Sequence, residues 1–517
     1  MAQFSTADLF VFIAYLLVLL GIAFYAGRKQ KTSASDLFVS RRTLPWYVIS
    51  FSFIASAISS QQLIGSVGFA YRHGLAVANW EWLNLLAILL MVFLFIPFYV
   101  RKNVVTMPQF LEMRYNGKVR SLFAIITLLT YVFINLAGVL YSGAFALNNL
   151  FGINIYSGIA LLAVIAGTVT IYGGLESVAW ANVWQSILLL ASGFLIFFLG
   201  VNAVPGGLTE IIGTGDRGSL ILPSDHPDLP GTGLLVLMIS TNIWFFCTNQ
   251  SINQSALGAK SMWHAKMGVL IVGLLSLFVA IADVFPGLIA YRMNPDLKVA
   301  DEAYVYVVNT LVPSGLKGLV FAALCGGSIA AIEALINASA TIFTLDIYQR
   351  SAKQEVTQVK LVRVGRWASA VVLVIACLWA PLVQQFEYIF SYFQECWAFI
   401  AIPVAVIFVM GVLWRGLTNE AAYATLCLSF PMLALPYLLR LWKVSMNVYH
   451  VAGLVLLFTV VFAVLVSLAT FKESTGSTLI VSKDTLRNDE KVVWYKSIMF
   501  WSIIILLMYI AVYAVWW

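Results

Sequence analysis

Residues 51–82 read FSFIASAISSQQLIGSVGFAYRHGLAVANWEW, and the fold turns on how this stretch is read. It begins as an apolar helix suited to a bilayer. Its middle, Ala55 to Gln62, holds two alanines, three serines and two adjacent glutamines. In hydrocarbon an unsatisfied backbone or amide group costs several kcal/mol, so such a run persists only against protein or a watery cavity. Serines also let helices pack closely, but glutamines are too large to act as packing notches. A helix interrupted at mid-membrane, with loose carbonyls and amide side chains, is the kind of site around which secondary carriers are built.

The composition agrees with a membrane setting. Hydrophobic residues make up 61% of the 517, charged residues only 10%, and the mean hydropathy is +0.92. Soluble domains carry about a quarter charged residues, so the expected class is an all-α polytopic membrane protein. The five cysteines fall in apolar segments without zinc spacing, and the four histidines are scattered. Neither set reads as a disulfide framework or a metal cluster. The first apolar run, Ala7 to Ala26, is followed rather than preceded by basic residues, Arg28 and Lys29. That order is the reverse of a signal peptide and reads as a retained helix with its N-terminus outside.

About fourteen spans are expected: 7–26, 44–71, 77–100, 122–146, 155–172, 178–203, 233–258, 267–292, 316–345, 365–384, 387–414, 420–439, 447–470 and 494–516. With the N-terminus outside, 23 lysines and arginines fall in inner loops and 7 in outer ones. The opposite topology would invert the split, so the positive-inside rule places both termini outside a plasma (inner) membrane. The basic loops match an anionic inner leaflet, and no nucleic-acid partner is needed to explain them. Val105–Tyr115 reads as an amphipathic segment on the inner surface. The outer loop 204–232, with Glu210, Asp216, Asp225 and Asp228, reads as a short lid.

A second polar interruption, STNIWFFCTNQSINQS at residues 240–255, lies five spans after the first. Two broken segments offset by an odd number of helices imply an inverted repeat of five plus five, with a site between the breaks. The expected organisation is 1–43 (an extra helix and inner loop), 44–203 (first repeat), 204–232 (outer loop), 233–414 (second repeat) and 415–517 (three peripheral helices).

The stretches ASAISSQQLIGSVG, NWEW, YGGLESVAW, NQSINQSALGAKS, GLKGLVFAALCGG, INASATIFTLDIYQR and YFQECW occur in this order along the chain. In them the sequence resembles the sodium/solute symporter family, most nearly its bacterial sodium–galactose cotransporter branch. The resemblance implies a LeuT-type core with discontinuous first and sixth helices. It also places sugar-site positions on Gln62, Glu81, Asn84, Asn242 and Gln394, with gate aromatics at Trp80 and Phe390 outside and Phe245 inside. Amides that donate and accept, beside a carboxylate that accepts, suit a ring of hydroxyls. A lysine of the galactose branch is replaced by Ser276, and its inner-gate tyrosine by Phe245. The implied solute is therefore a sugar, polyol or similar molecule rather than galactose held in the same way.

The resemblance further implies a sodium site of backbone carbonyls at Ala55, Ile58 and Gly327. Its two hydroxyl positions are Ala330 and Ala331 here, and a further aspartate position is Asn182. Hard cations need oxygens to replace their water, so these are real deficits. Glu333 lies one turn beyond Ala330 and faces nearly the same way. It can be read as a cation ligand, as a proton carrier, or as a structural residue reaching the inner side or a loop cation. Asp283 reads as lying near the outer water, and Glu176 as an acid at a helix N-terminus.

The expected function is alternating-access import of a small hydroxylated solute coupled to a cation gradient, with a uniporter or proton symporter as the alternative. A sensor lacks an output segment in this sequence, and a channel would need a continuous polar lining. No nucleophile–base pair, phosphate loop or metal set supports an enzyme. No cofactor is implied beyond a coupling sodium ion or proton, and nothing in the sequence sets an oligomeric state.

Overall fold

In the computed structural model the described residues of the stretches expected to cross the bilayer are largely helical. The structure describes residues 5–28, 31–352, 354–385, 389–441, 446–471 and 493–517; within these, the side chains at 61, 149–151, 237, 385, 389–396, 398, 433, 436, 437, 440 and 441 lie outside the description. The order begins α1 Thr6–Gly27, α2 Ala34–Phe38, α3 Trp46–Ala57, α4 Ser60–His73, α5 Asn79–Trp82, α6 Asn84–Leu90, α7 Ile96–Arg101, α8 Met107–Arg114, α9 Gly117–Leu129, α10 Ala137–Phe151, α11 Ile155–Ala203 and α12 Gly207–Ile212. It continues α13 Gly231–Ile243, α14 Gln250–Leu257, α15 Met262–Asp283, α16 Phe285–Met293, α17 Ala303–Leu311, α18 Lys317–Ile342, α19 Gln349–Ser351, α20 Gln358–Trp379, α21 Ile389–Leu413, α22 Asn419–Cys427, α23 Ser429–Leu441, α24 Val448–Thr470 and α25 Ile498–Trp516. Among the described residues, ten continuous helical runs are long and apolar enough to cross a membrane. Among the described residues there is no β-strand, only an isolated bridge between Leu44 and Ala259.

Both expected interruptions are present. Helix α3 stops where Ile58 turns extended (φ −108°, ψ 110°), and α4 starts after Ser59, whose hydroxyl accepts from the Gln62 amide. The second break is at Asn249 (φ −77°, ψ 118°), between a π-helical turn over Trp244–Thr248 and α14. The half-helices α3 and α14 are joined by Ser52 Oγ and Ser255 Oγ at 2.9 Å. Around them pack α11 and α18, and α1 packs against both of these.

One expected separation is present, and two loop expectations need correction. The stretches 155–172 and 178–203 are two helices that meet within α11 at Gly174, whose backbone is not helical (φ 60°, ψ −157°). Only glycine adopts that conformation readily, and a Cβ there would stand 2.5 Å from the Leu37 carbonyl. Glu176, just beyond this kink, does more than face a helix dipole: it accepts from buried Lys31 at 3.0 Å. The 105–115 segment is not spread on the surface either. Met107, Phe110, Leu111 and Arg114 of α8 are buried, and the Arg114 guanidinium donates to the carbonyls of Gly411, Trp414 and Leu417.

The last helix, α25, lies against α15. Tyr509 donates to the Gly273 carbonyl (2.8 Å) and Tyr513 to Asn79 Oδ1 (2.6 Å). It therefore braces the back of the helices that carry the site.

Candidate functional site

The two breaks meet at a cavity lined by α3, α4, α5, α6, α13, the π-turn, α15 and α21. It brings together Gln62, Glu81, Asn84, Asn242 and Ser276, five positions far apart in the chain. Glu81 is buried on the four-residue helix α5, and its two carboxylate oxygens accept from Gln62 Nε2 and Asn84 Nδ2, each at 3.5 Å. These are long bonds between neutral donors and a carboxylate, and they leave acceptor capacity open toward the cavity. Asn242 Nδ2 and Thr241 Oγ1 have no hydrogen-bond partner although buried. Buried polar groups are nearly always satisfied, so these are poised for a ligand or water.

Trp80 and Phe245 line the same cavity. Trp80 stands on the side toward Phe69 and Tyr449, with ring centroids at 5.6 and 6.5 Å. Phe245 lies toward the second break, next to Trp397 at 6.4 Å. The side chains of Gln394 and Phe390 lie outside the described residues. Sequence reasoning missed Thr241, Phe246 and Trp397 as lining residues. Their signal was adjacency: the first two flank Asn242 and Phe245, and Trp397 closes the YFQECW stretch.

The cavity measures about 70 Å³. That is roughly half of the ~150 Å³ in which an apolar protein cavity accepts benzene. A hexose is larger than benzene, so it enters only when the walls move apart.

Behind the first break, α18 approaches the extended backbone closely. A Cβ at Gly327 would stand 2.8 Å from the Ile58 carbonyl oxygen. Ser328 Oγ donates to Ser60 Oγ at 2.5 Å, a hydroxyl pair at the break that the motif reading did not include. Ala55, Ala330 and Ala331 are buried and offer no side-chain oxygen. Asn182 lies against α3, its amide donating to Ser56 Oγ (3.1 Å) and Ser52 Oγ (3.3 Å), while its Oδ1 has no partner. Glu333 is 0% exposed, and neither of its oxygens has a partner. It thus neither reaches the inner surface nor pairs with a loop cation. Asp283 is also not at the outer water: it is 1% exposed, again with both oxygens unpartnered.

The sodium:solute symporter family model matches residues 37–428, which covers both breaks and every lining element. The chain belongs to the sodium:solute symporter family. It is 32% identical over 498 residues to the sodium/glucose cotransporter of Vibrio parahaemolyticus, covering 90% of this chain and 91% of that one. It is 29% identical over 471 residues to the mouse sodium/myo-inositol cotransporter, covering 82% of this chain and 65% of the relative. Among solved structures, a Na+-coupled sialic acid symporter in a substrate-bound outward-open state superposes with a TM-score of 0.79 at 20% identity, over 91% of this chain and 99% of that one. The nucleobase–cation symporter MHP1 gives 0.55 at 16% identity, over 86% and 97%. Family and fold therefore agree on a helical membrane transporter of LeuT type, not an enzyme.

Proposed function

We propose that this symporter-family protein imports a small polyhydroxylated solute, a sugar or polyol, by alternating access, coupled to a cation gradient. The observation that carries this reading is the convergence of Gln62, Glu81, Asn84, Asn242 and Ser276 on one cavity between two broken helices. Such a ring of donors and acceptors matches hydroxyls, and the flanking Trp80 and Phe245 match the apolar faces of a sugar. The relatives named for sodium-coupled glucose and inositol transport support both the solute class and sodium as the coupling ion. The charge asymmetry of the loops supports an orientation with both termini outside a plasma (inner) membrane.

A second reading, proton coupling or no coupling, is favoured by one observation. The two hydroxyl positions of the sodium site are Ala330 and Ala331, while Glu333 beside them is buried without a partner. An uncompensated buried carboxylate is costly, so Glu333 either binds a cation together with the carbonyls of Ala55, Ile58 and Gly327 or takes up a proton.

Uptake of labelled sugars and polyols into proteoliposomes, with sodium and pH gradients imposed separately, tests the proposal. Accumulation that follows the sodium gradient supports the first reading. Accumulation that follows only the pH gradient, or equilibration that depends on neither gradient, supports the second. In either coupled case Glu333→Gln is expected to abolish accumulation while leaving solute exchange intact. Binding without uptake under any gradient would overturn the carrier reading itself.

A further inference from the structure

The solute's charge can be inferred from the site's own, an argument that rests on the carrier reading above and deepens it. Among the described residues lining the cavity there is one ionisable side chain, Glu81, and no lysine, arginine or histidine. The sequence around the lining residue Trp397, IFSYFQECWA at 389–398, holds no basic residue. Behind Glu81 stands a second carboxyl. Asp283 lies seven residues beyond Ser276 on α15, nearly two full turns, hence on the same stripe of the helix and about 10 Å along it. It is within electrostatic reach of Glu81 and has no hydrogen-bond partner for either oxygen. Of the elements packed nearby, α25 contributes only Tyr509, already engaged with the Gly273 carbonyl, and α5 contributes Glu81 itself.

Two buried carboxyls without a cation are strongly unfavourable as a pair of charges. An arriving ammonium would remove the imbalance, forming charge-assisted bonds to Glu81 in place of the long amide contacts. The walls suit the same group: Trp80, Phe245, Phe246 and Trp397 line the cavity, and aromatic rings attract cations. Asn242 Nδ2 and Thr241 Oγ1, unpartnered polar atoms of the same lining, are then left for hydroxyls.

We propose that the solute of this site is a small polyol carrying one protonated amine, an amino sugar or amino-cyclitol, held through its ammonium by Glu81 with Asp283 reinforcing the field.

The test is binding to the purified full-length protein in nanodiscs, read by quenching of tryptophan fluorescence and repeated as proteoliposome uptake. Hexoses and inositols are each compared with their amino-deoxy and N-acetylamino counterparts. The amine of the preferred pair is expected to bind at least tenfold more tightly than its neutral parent. The N-acetyl form, which keeps the nitrogen but loses the charge, should show no such gain. Asp283→Asn should reduce the amine's advantage over the neutral parent to under threefold. Were Asp283→Asn to misfold, the three-way comparison on the wild-type protein decides alone. Equal or tighter binding of the neutral parent overturns the inference and leaves the carrier reading standing, the carboxyl pair then holding a proton. Failure of every member to bind or be taken up overturns both.

Discussion

The two breaks look alike in sequence and are used in opposite ways. At the first, SAISSQQ, Gln62 faces the cavity, the regular ladder ends at the Ile54 carbonyl, and Gly327 of α18 presses against the exposed Ile58 carbonyl. At the second, Thr241 and Asn242 ahead of the break line the cavity, but the polar side chains at and after Asn249 bind the protein itself. Asn249 Oδ1 accepts from Ser251 and Tyr131, Gln250 bridges the backbone of Val105 and Met107, and Gln254 donates to Phe38 O and Thr341. One break presents chemistry, and the other anchors the inner half of its helix. A carrier needs both, since a site that changes access must move against something fixed.

The comparison is broken most sharply by changing one residue of each kind. Glu81→Gln removes charge-assisted bonds worth about 1.5–3 kcal/mol, so solute binding should weaken ten- to more than a hundredfold. Its melting midpoint should hold or rise, because a buried charge has been removed. Asn249→Ala should do the reverse. It removes an N-cap and leaves the Tyr131 O–H without its acceptor, together costing about 2–3 kcal/mol of stability. Melting in detergent, read beside solute binding on the surviving folded fraction, separates the two; equal effects of both variants on binding would erase the distinction.

Gly327→Ala comes next. Its Cβ must displace the Ile58 carbonyl or α18, an overpacking cost of about 1–3 kcal/mol. The midpoint should fall, and cation dependence of uptake should weaken more than uptake itself. Unchanged cation dependence would separate this carbonyl from coupling.

Much of this was legible beforehand, for a physical reason. Gln62, Glu81, Asn84 and Asn242 are polar in apolar surroundings, where a bilayer tolerates such groups only against a cavity or a partner. That rule selects positions without saying which of the two applies. Asn249, Gln250 and Gln254 satisfy it equally well, and their partners, such as Val105, Phe38 and Thr341, are distant in sequence and supplied only by the fold. Arg114 likewise reads as an inner-leaflet cation until the carbonyls of α21 are seen to surround it. Asp283 reads in the sequence as a weaker candidate near the outer water, because helix ends commonly reach water, and its burial depends on how α15 packs against α5 and α25. Aromatic Tyr509 and Tyr513 carried no signal at all in a helix that any apolar residue could form.

The smallest effect belongs to the inner loop that grips the anchored half. Gly258 O accepts from Leu44 and Leu44 O from Lys260, while Phe38 O at the end of α2 receives Gln254. Helix α2 is held in turn by a capping box, Ser33 with Asp36, and Asp36 also accepts from Thr32 and from Arg41 at 2.8 Å. Burial works against the charged carboxyl, but these bonds from Arg41, Thr32 and Ser33 outweigh it and hold Asp36 well below the ordinary carboxylate range. A depressed folded-state value means that its stabilisation is complete above the unfolded value of about 3.9 and is lost only as pH falls through the folded one. Asp36→Asn should therefore cost about 1 kcal/mol, a typical capping loss, by the same amount from pH 5.5 to 7.5. The gap to wild type should close only below about pH 4. Solute binding should not change, because α2 touches the anchor and not the cavity. A shift in affinity as large as the shift in melting would show that the anchored half also sets the geometry of the site, and the division of labour between the breaks would have to be redrawn.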